Sequence, residues 1–264
     1  MPRYPHEATF SALGLDCLLI TTCPEDLLRS VDLVVEELEE LAAVTSLDLH
    51  TSEASRLTRL AWAADVTAPA SPVLIDYLSA ALWAAELTDS MPSGDSRLGD
   101  WRRIEIGDGT VSLPRGCVLD LGDTVAAHAA DLLVLLLSDL HPGGGFLLGI
   151  GNGLAVAGEA PDDGWQIPVT APSGRTLQVV STRRAAVSST IDHGHGTSDA
   201  ELWAKVTVAA GTALEAQAWA AASRVKGELA PAWLTNRGVP ARLERRTGTT
   251  RYTAGWPAPV RMPA

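Results

Sequence analysis

Lysine is almost absent from this sequence. The 264-residue chain carries 20 basic residues, of which only Lys205 and Lys226 are lysines. Acidic residues outnumber basic ones and give a net charge of −12, which argues against nucleic acid or an anionic membrane surface as a partner. The longest apolar run, at 132–137, is too short to span a bilayer. Because no basic-then-apolar leader opens the sequence, we expect a cytoplasmic protein.

Cysteine is also scarce, and its pattern gives no sign of a metal site. The chain has 3 cysteines, an odd number, at spacings that match no common zinc ligand set. Cys17 and Cys117 lie in apolar runs that are typical of strands. We therefore expect both to be buried thiols.

Apolar periodicity predicts a mixture of helices and strands. Helices are predicted from Pro24 onward and at 71–89, 123–139, 212–226 and 228–236. Strands are predicted as a pair or as one bent strand around Gly14 within 8–22, and at 101–106, 110–113, 117–121, 146–150, 154–157, 165–169, 176–181, 185–189 and 203–210, with a closing hairpin at 240–244 and 251–256. The two kinds of element do not alternate regularly, which favours an α+β fold over a doubly wound parallel sheet. We interpret 1–264 as one domain, with a frayed tail at 257–264.

The stretch 117–131 has the layout of a phosphate-binding site without its cation. A predicted strand ends at Asp120, Gly122 makes a turn, and a helix follows at once, as in many phosphate sites. No lysine or arginine follows in the first turns of this helix. His128, further along the helix, is a candidate proton donor or phosphate contact. The alternative is an ordinary histidine on a solvated helix face.

The sequence DHGHG at 192–196 is a second unusual feature. On a strand, His193 and His195 would share a face, and beside Asp192 they could bind a divalent metal or act as an acid–base pair. The alternative is a glycine-rich surface loop with incidental histidines. Ser188 and Ser189 precede this stretch and suggest a nucleophile–base pair, although the Gly-x-Ser-x-Gly turn typical of many hydrolases is absent.

Several further stretches occur in a characteristic order along nearly the whole chain. They are FSALGLD at 10–16, SEASRLT at 52–58, AALWAAELTDS at 80–90, LDLGDTVAAHAAD at 119–131, GIGNGLAVAG at 149–158, AVSST at 186–190 and the run 206–243. Taken together, they resemble the ApbE-type family of FAD:protein FMN transferases. The resemblance implies an α+β, two-lobed fold with a central cleft that holds FAD.

The same resemblance implies a set of site residues. In that family magnesium binds the pyrophosphate of FAD, and FMN is transferred to a threonine of a partner protein. Flavin-binding positions would fall on Gly14, Asp120, Gly122, Thr124, Gly151, Asn152, Ser188 and Ser189. The metal-binding carboxylate of the family would correspond to Glu215, which would then also be catalytic.

Several of these positions depart from the family pattern. Ala126 stands where the family has its helix lysine, so a cation near the diphosphate is missing. Glu215 replaces an aspartate, and the threonine that accompanies this aspartate is absent. The loop 190–203 lacks the family's Asp-Pro and Thr-Gly pairs, and Asn152 adds a side chain between Gly151 and its neighbouring glycine. Since magnesium requires tight octahedral geometry, these changes predict that standard flavin transfer is impaired.

Tryptophan is unusually frequent, with 8 residues against 2 phenylalanines. Trp219 lies one turn after Glu215 on the alanine-rich helix. We expect it to fill space in the core; the alternative is that it covers a flavin or another ligand.

Three functions remain open at this point. The first is a divergent, impaired flavin transferase that uses FAD and magnesium. The second is a small-molecule enzyme built on the same fold, with His128, Asp192, His193 and His195 as candidate acid–base groups. The third is a non-catalytic protein that binds a flavin or a partner protein. The arginine- and alanine-rich composition indicates a bacterial source but does not separate the three.

Overall fold

The computed structural model of the protein describes residues 6–89, 98–171, 173–191 and 202–257. The strands are β1 Glu7–Ala12, β2 Leu15–Thr21, β3 Val66–Pro69, β4 Glu105–Ile106, β5 Thr110–Leu113, β6 Gly145–Ile150, β7 Gly153–Gly158, β8 Trp165–Thr170, β9 Thr176–Thr182, β10 Ala186–Ile191, β11 Trp203–Ala210, β12 Ala241–Arg245 and β13 Thr250–Tyr252. The helices are α1 Leu27–Thr45, α2 Glu53–Ala61, α3 Pro72–Thr88, α4 Asp123–Leu140, α5 Ala213–Lys226 and α6 Ala230–Asn236. None of these helices is long and apolar enough to cross a membrane.

An eight-stranded sheet forms the centre of the molecule. Its strand order is β1-β2-β6-β7-β10-β11-β12-β13, and its paired strands run antiparallel. A three-stranded sheet, β3-β5-β4, and the separate hairpin β8-β9 complete the strand pairing. Antiparallel sheets packed with helices confirm the predicted α+β class.

The two faces of the central sheet are covered by different elements. On one face, Val206 and Val208 of β11 pack with residues of α5 and α6. On the other face, Val187 of β10 packs with Trp165 and Ile167 of the β8-β9 hairpin. Because successive residues of a strand point to opposite faces, adjacent residues of β10 and β11 contact the helices on one face and the hairpin on the other. This alternation separates the candidate site residues described below.

Helix α1 follows its predicted apolar period. Residues 24–26 form a 3-10 turn, and α1 begins at Leu27. Val34, Leu38 and Leu41 are buried at helical spacing, while the glutamates between them are exposed. The exposed glutamates therefore form the solvated face of this helix. The predicted burial of Cys17 and Cys117 is also confirmed.

The predicted strand pair around Gly14 is confirmed, and its turn has a specific backbone. Leu13 and Gly14 connect β1 to β2 with φ angles of 55° and 71°. Positive φ at both central residues of a two-residue hairpin is the type I′ arrangement. A leucine in this region is unusual, because its Cβ crowds the backbone there.

Two predicted strands are wrong. Residues 117–121 are extended, and Cys117, Leu119 and Leu121 are buried in alternation, but no strand pairs with them. Instead the Leu119 amide donates to Thr58 Oγ1 at 3.0 Å. Of the predicted strand at 101–106, residues 101–103 form a 3-10 turn and only Glu105–Ile106 pairs in a sheet. An extended segment in which every second residue is buried has the same apolar pattern as a strand, even when no strand pairs with it.

Asp131 joins α4 to α5. Its Oδ1 accepts a hydrogen bond from the Ala213 amide at 2.7 Å, and its Oδ2 accepts one from the Leu214 amide at 2.9 Å. These amides open α5 and have no partner within the helix. Burial raises the pKa of Asp131, and the two hydrogen bonds oppose this rise. The carboxylate therefore fixes the start of α5 against the side of α4.

Replacing Asp131 should destabilise the fold. Asp131→Ala removes both acceptors from the α5 amides, and we expect the free energy of unfolding to fall by about 2–4 kcal/mol. Chemical denaturation of the variant measures this change. Asp139→Ala, on an exposed position of the same helix, is the matched control and should change stability by less than about 0.5 kcal/mol. Equal effects of the two changes would contradict the role given to Asp131.

Candidate functional site

Two clefts divide the site residues predicted from the sequence. The α4 cleft, about 600 Å³ in volume, lies beside the start of α4; its wall includes Leu13, Gly14, Asp48, Asp120, Gly122, Asp123 and Ala126. The hairpin cleft, about 660 Å³, lies between the central sheet and the β8-β9 hairpin; its wall includes Asp16, Gly151, Asn152, Thr170, Ser189 and Lys205. Within the described part of the chain, the proposed flavin-binding positions are thus divided between two cavities.

Leu15 stands at the border between the two clefts. It belongs to the wall of the α4 cleft. A Cβ placed on Gly151, which lines the hairpin cleft, would lie 3.3 Å from Leu15 Cδ1. With φ of +56°, Gly151 also has a backbone conformation that favours glycine. The leucine side chain therefore fills space at the point where the clefts approach each other.

The α4 cleft is acidic. Gly122, with φ 56° and ψ −144°, makes the turn into α4. The Gly122 amide donates a hydrogen bond to Asp120 Oδ1 at 3.3 Å. Asp48, Asp120 and Asp123 contribute carboxylates to the cleft, and none of the described residues in its wall is basic. Ala126 lies in this wall and is largely buried. A pyrophosphate here would meet negative charge without a protein cation to balance it.

Two predicted side chains on α4 are engaged elsewhere. Thr124 is buried, and its hydroxyl donates to the Leu121 carbonyl. His128 faces α3: its Nε2 lies 2.9 Å from Asp76 Oδ2, and its ring meets the Tyr77 ring edge-on at 4.9 Å. The structure therefore does not bring His128 together with Asp120 and Gly122.

The neighbouring serines of β10 point to opposite sides of the sheet. Ser188 donates to Gln217 Oε1 at 2.6 Å, and Gln217 Nε2 donates to Asp123 Oδ2 at 3.1 Å. Ser189 lies 2.9 Å from Thr207 Oγ1 on the hairpin-cleft side. Ser188 thus belongs to a hydrogen-bonded link between β10, α5 and α4, and Ser189 lines a ligand-sized cavity.

The predicted partners of these serines lie outside the described residues. Asp192, His193 and His195 fall in the stretch between β10 and β11 that the structure does not describe. Their roles as acid–base groups or metal ligands stay predictions.

Glu215 is held by hydrogen bonds within its own helix start. Its Oε2 accepts from the Gly211 amide at 3.2 Å, and its Oε1 accepts from Trp219 Nε1 at 3.3 Å. Trp219 is buried and packs edge-on against Trp233 with ring centroids 4.9 Å apart. The indole therefore fills core space and also occupies one oxygen of the candidate metal ligand.

These surroundings fit a magnesium ion poorly. Magnesium takes six oxygen ligands in near-ideal octahedral geometry, usually with one or two carboxylates. Each oxygen of Glu215 already accepts one hydrogen bond, which restricts the directions left for a metal. Among the described residues, the one group of three or more His, Cys, Asp or Glu residues with ligand atoms close enough to share an ion is Cys23, Glu25 and Asp26, and Glu215 is not part of it.

Lys205 is a residue that reasoning from the sequence did not place in a site. Its side chain reaches the wall of the hairpin cleft from β11, and the residue is only 4% exposed. Its Nζ donates to Thr170 Oγ1 at 2.9 Å. Burial lowers the pKa of Lys205; nearby Arg242 lowers it further, and Glu244 opposes the shift. The signal in the sequence was a lysine inside an apolar strand of a chain that otherwise avoids lysine.

The fold is that of the ApbE flavin transferases. The ApbE protein of Thermotoga maritima superposes with a TM-score of 0.81 at 16% identity, covering 94% of this chain and 97% of that one. The flavinyl transferase ApbE of Pseudomonas stutzeri gives 0.78 at 19% identity, covering 94% of both chains. The flavin transferase ApbE of Vibrio cholerae gives 0.77 at 15% identity, covering 95% and 98%. No protein-family model and no curated protein matches the sequence.

These similarities confirm the predicted ApbE-like fold across almost the whole chain. Identities of 14–19% establish the fold alone. Function must therefore be argued from the residues in the two clefts.

Proposed function

We propose that this protein is a divergent flavin transferase of the ApbE type in which magnesium-dependent transfer of FMN to a protein threonine is strongly reduced. The observation that carries the proposal is the state of Glu215. Within the shared fold, the candidate metal carboxylate gives both oxygens to hydrogen bonds from Gly211 and Trp219. Each hydrogen bond takes one lone pair of its oxygen and holds the carboxylate in place, which limits how it can turn to meet the octahedral geometry of magnesium.

The charges of the α4 cleft support the same proposal. Phosphoryl transfer depends on positioning and on neutralising the charge of the phosphates. Ala126 leaves the cleft without the lysine that the resemblance places there, and three aspartates lie in its wall. FAD bound with its pyrophosphate in the α4 cleft would lack both the lysine contact and a well-formed metal site. Slow or absent cleavage of the pyrophosphate is the expected consequence.

A second candidate function is an enzyme that uses the same fold for another small molecule. One observation favours it: the hairpin cleft holds a buried amine, that of Lys205, beside the hydroxyls of Thr170 and Thr207. A purely structural lysine is rarely buried, because desolvation of the charged amine is unfavourable. A non-catalytic protein that binds a flavin or a partner protein is the remaining alternative.

FAD cleavage measures the proposed loss of activity directly. The purified protein is incubated with FAD, with and without magnesium, and FMN and AMP are separated by chromatography. We expect little magnesium-dependent product from the unaltered chain, and no further decrease in Glu215→Ala. Rapid release of FMN and AMP that requires magnesium and disappears in Glu215→Ala would contradict the proposal.

Restoring a cation to the α4 cleft should tighten FAD binding. Ala126 lies in the cleft wall, so the longer side chain of Ala126→Lys can extend toward the phosphates of FAD. We expect about tenfold tighter binding, because a charge-assisted hydrogen bond contributes about 1.5–3 kcal/mol. Ala126→Met is the control, since it adds similar length without charge. Equal FAD affinities in the two variants, measured by flavin fluorescence, would show that the diphosphate does not bind in this cleft.

A further inference from the structure

Lys205 lies at the closed end of the hairpin cleft. The residue is 4% exposed, and its neighbour Thr207, which also lines the cleft, is 1% exposed. At the other end, Thr9 and Asp16 line the same cleft and are exposed to solvent. The cavity therefore opens at β1 and β2 and ends at the amine on β11.

The cleft is long enough for an extended small molecule. From β2 to β11 the sheet order passes through β6, β7 and β10. Four steps between neighbouring strands correspond to about 19 Å. Between the two ends, Ile167 of the hairpin and Val187 of the sheet offer apolar surface. The cleft thus combines an apolar middle with a cation at its closed end.

The amine of Lys205 lacks a partner of opposite charge among the described residues. Among the described residues, its hydrogen bond goes to the neutral hydroxyl of Thr170. Glu244, the nearby carboxylate on β12, is paired with Arg242 at 2.9 Å. The described charged groups around the amine are therefore Arg242, which repels its charge, and Glu244, whose attraction Arg242 shares. A buried ammonium in these surroundings is stabilised strongly by an anion that enters the cleft.

We propose that the hairpin cleft is a binding site for an elongated small molecule whose carboxylate or phosphate group contacts Lys205 Nζ. Thr170 holds the amine, and the hydroxyls of Ser189 and Thr207 supply further hydrogen-bond donors near it. The body of the ligand lies along Ile167 and Val187 toward the open end. The inference does not rest on flavin transfer, because it is argued from Lys205 and its neighbours; Gly151, Asn152 and Ser189 in the same cleft are also positions that the resemblance assigns to flavin.

The composition of the chain allows a direct test of the anion contact. Because Lys205 and Lys226 are the only lysines, lysine labelled with carbon-13 at Cε gives one NMR signal from each. The signals are assigned with Lys205→Met and Lys226→Arg. Inorganic phosphate and sodium acetate are titrated separately at constant ionic strength. The two titrations distinguish a phosphate site from a carboxylate site.

A saturable change of the Lys205 signal is expected with at least one of the two anions, with half-saturation in the millimolar range. The pKa of Lys205 should rise in the bound state, and the Lys226 signal should stay unchanged. Thr170→Val should weaken binding several-fold, because it removes the hydrogen bond that orients the amine. Thr67→Val, at an exposed position of β3 outside the cleft, is the matched control and should bind as the unaltered chain does.

Two results would overturn the proposal. One is a Lys205 signal that does not respond to either anion while the chain remains folded. The other is an equal, non-saturating drift of both lysine signals, which would show ionic screening without a site. FAD cleavage is measured in a separate assay, so the anion titration of Lys205 can be interpreted even if the flavin proposal fails.

Discussion

The carboxylate of Asp131 is the contact on which the arrangement of the site depends. It binds the first amides of α5, those of Ala213 and Leu214, from a position on α4 that lies 82 and 83 residues earlier in the sequence. The same junction brings Gly153 close to Ala127 and Ala213: a Cβ on Gly153 would lie 3.3 Å from Ala127 Cα. A chain of hydrogen bonds from buried Ser188 and Gln217 to Asp123 at the surface reinforces it. These contacts fix where Glu215 stands relative to the start of α4.

Within this frame, the two faces of the central sheet carry different chemistry. On the helix side, the α4 cleft has carboxylates and no basic residue among its described wall residues, and Glu215 is engaged by Trp219. On the hairpin side, a buried lysine and several hydroxyls line a cavity of similar volume. A fold that is shared with flavin transferases thus has little positive charge beside α4 and a cation in the cleft behind the sheet. This distribution of charge, rather than the fold, is the basis for proposing altered function.

Local sequence signals predicted most elements because local physics determines them. The apolar period of α1 and the type I′ turn at Leu13 and Gly14 are set by neighbouring residues. The strand predicted at 117–121 failed because burial in alternation also suits an extended segment that bonds to Thr58. From the sequence alone, one could predict only that Ser188 and Ser189, as neighbours in a strand, point to opposite faces of the sheet. What lies on each face depends on strand order, which single-sequence patterns do not encode.

The surroundings of Glu215 and of Lys205 were the hardest features to predict, because side-chain orientation and strand order determine them and sequence spacing does not. The sequence indicated a weakened metal site from Glu215 and Ala126, but not that Trp219 would donate to the glutamate. Likewise, Lys205 appeared remote from every motif until the sheet placed it in the same cleft as Gly151 and Ser189.

Metal binding at Glu215 tests the central claim most directly. Manganese is a spectroscopically visible substitute for magnesium that also prefers oxygen ligands. Its free concentration can be followed by electron paramagnetic resonance as protein is added, with and without FAD. The account predicts only weak binding, in the millimolar range, with no difference between the unaltered chain and Glu215→Ala. Stoichiometric binding at micromolar concentrations that is lost in Glu215→Ala would contradict it.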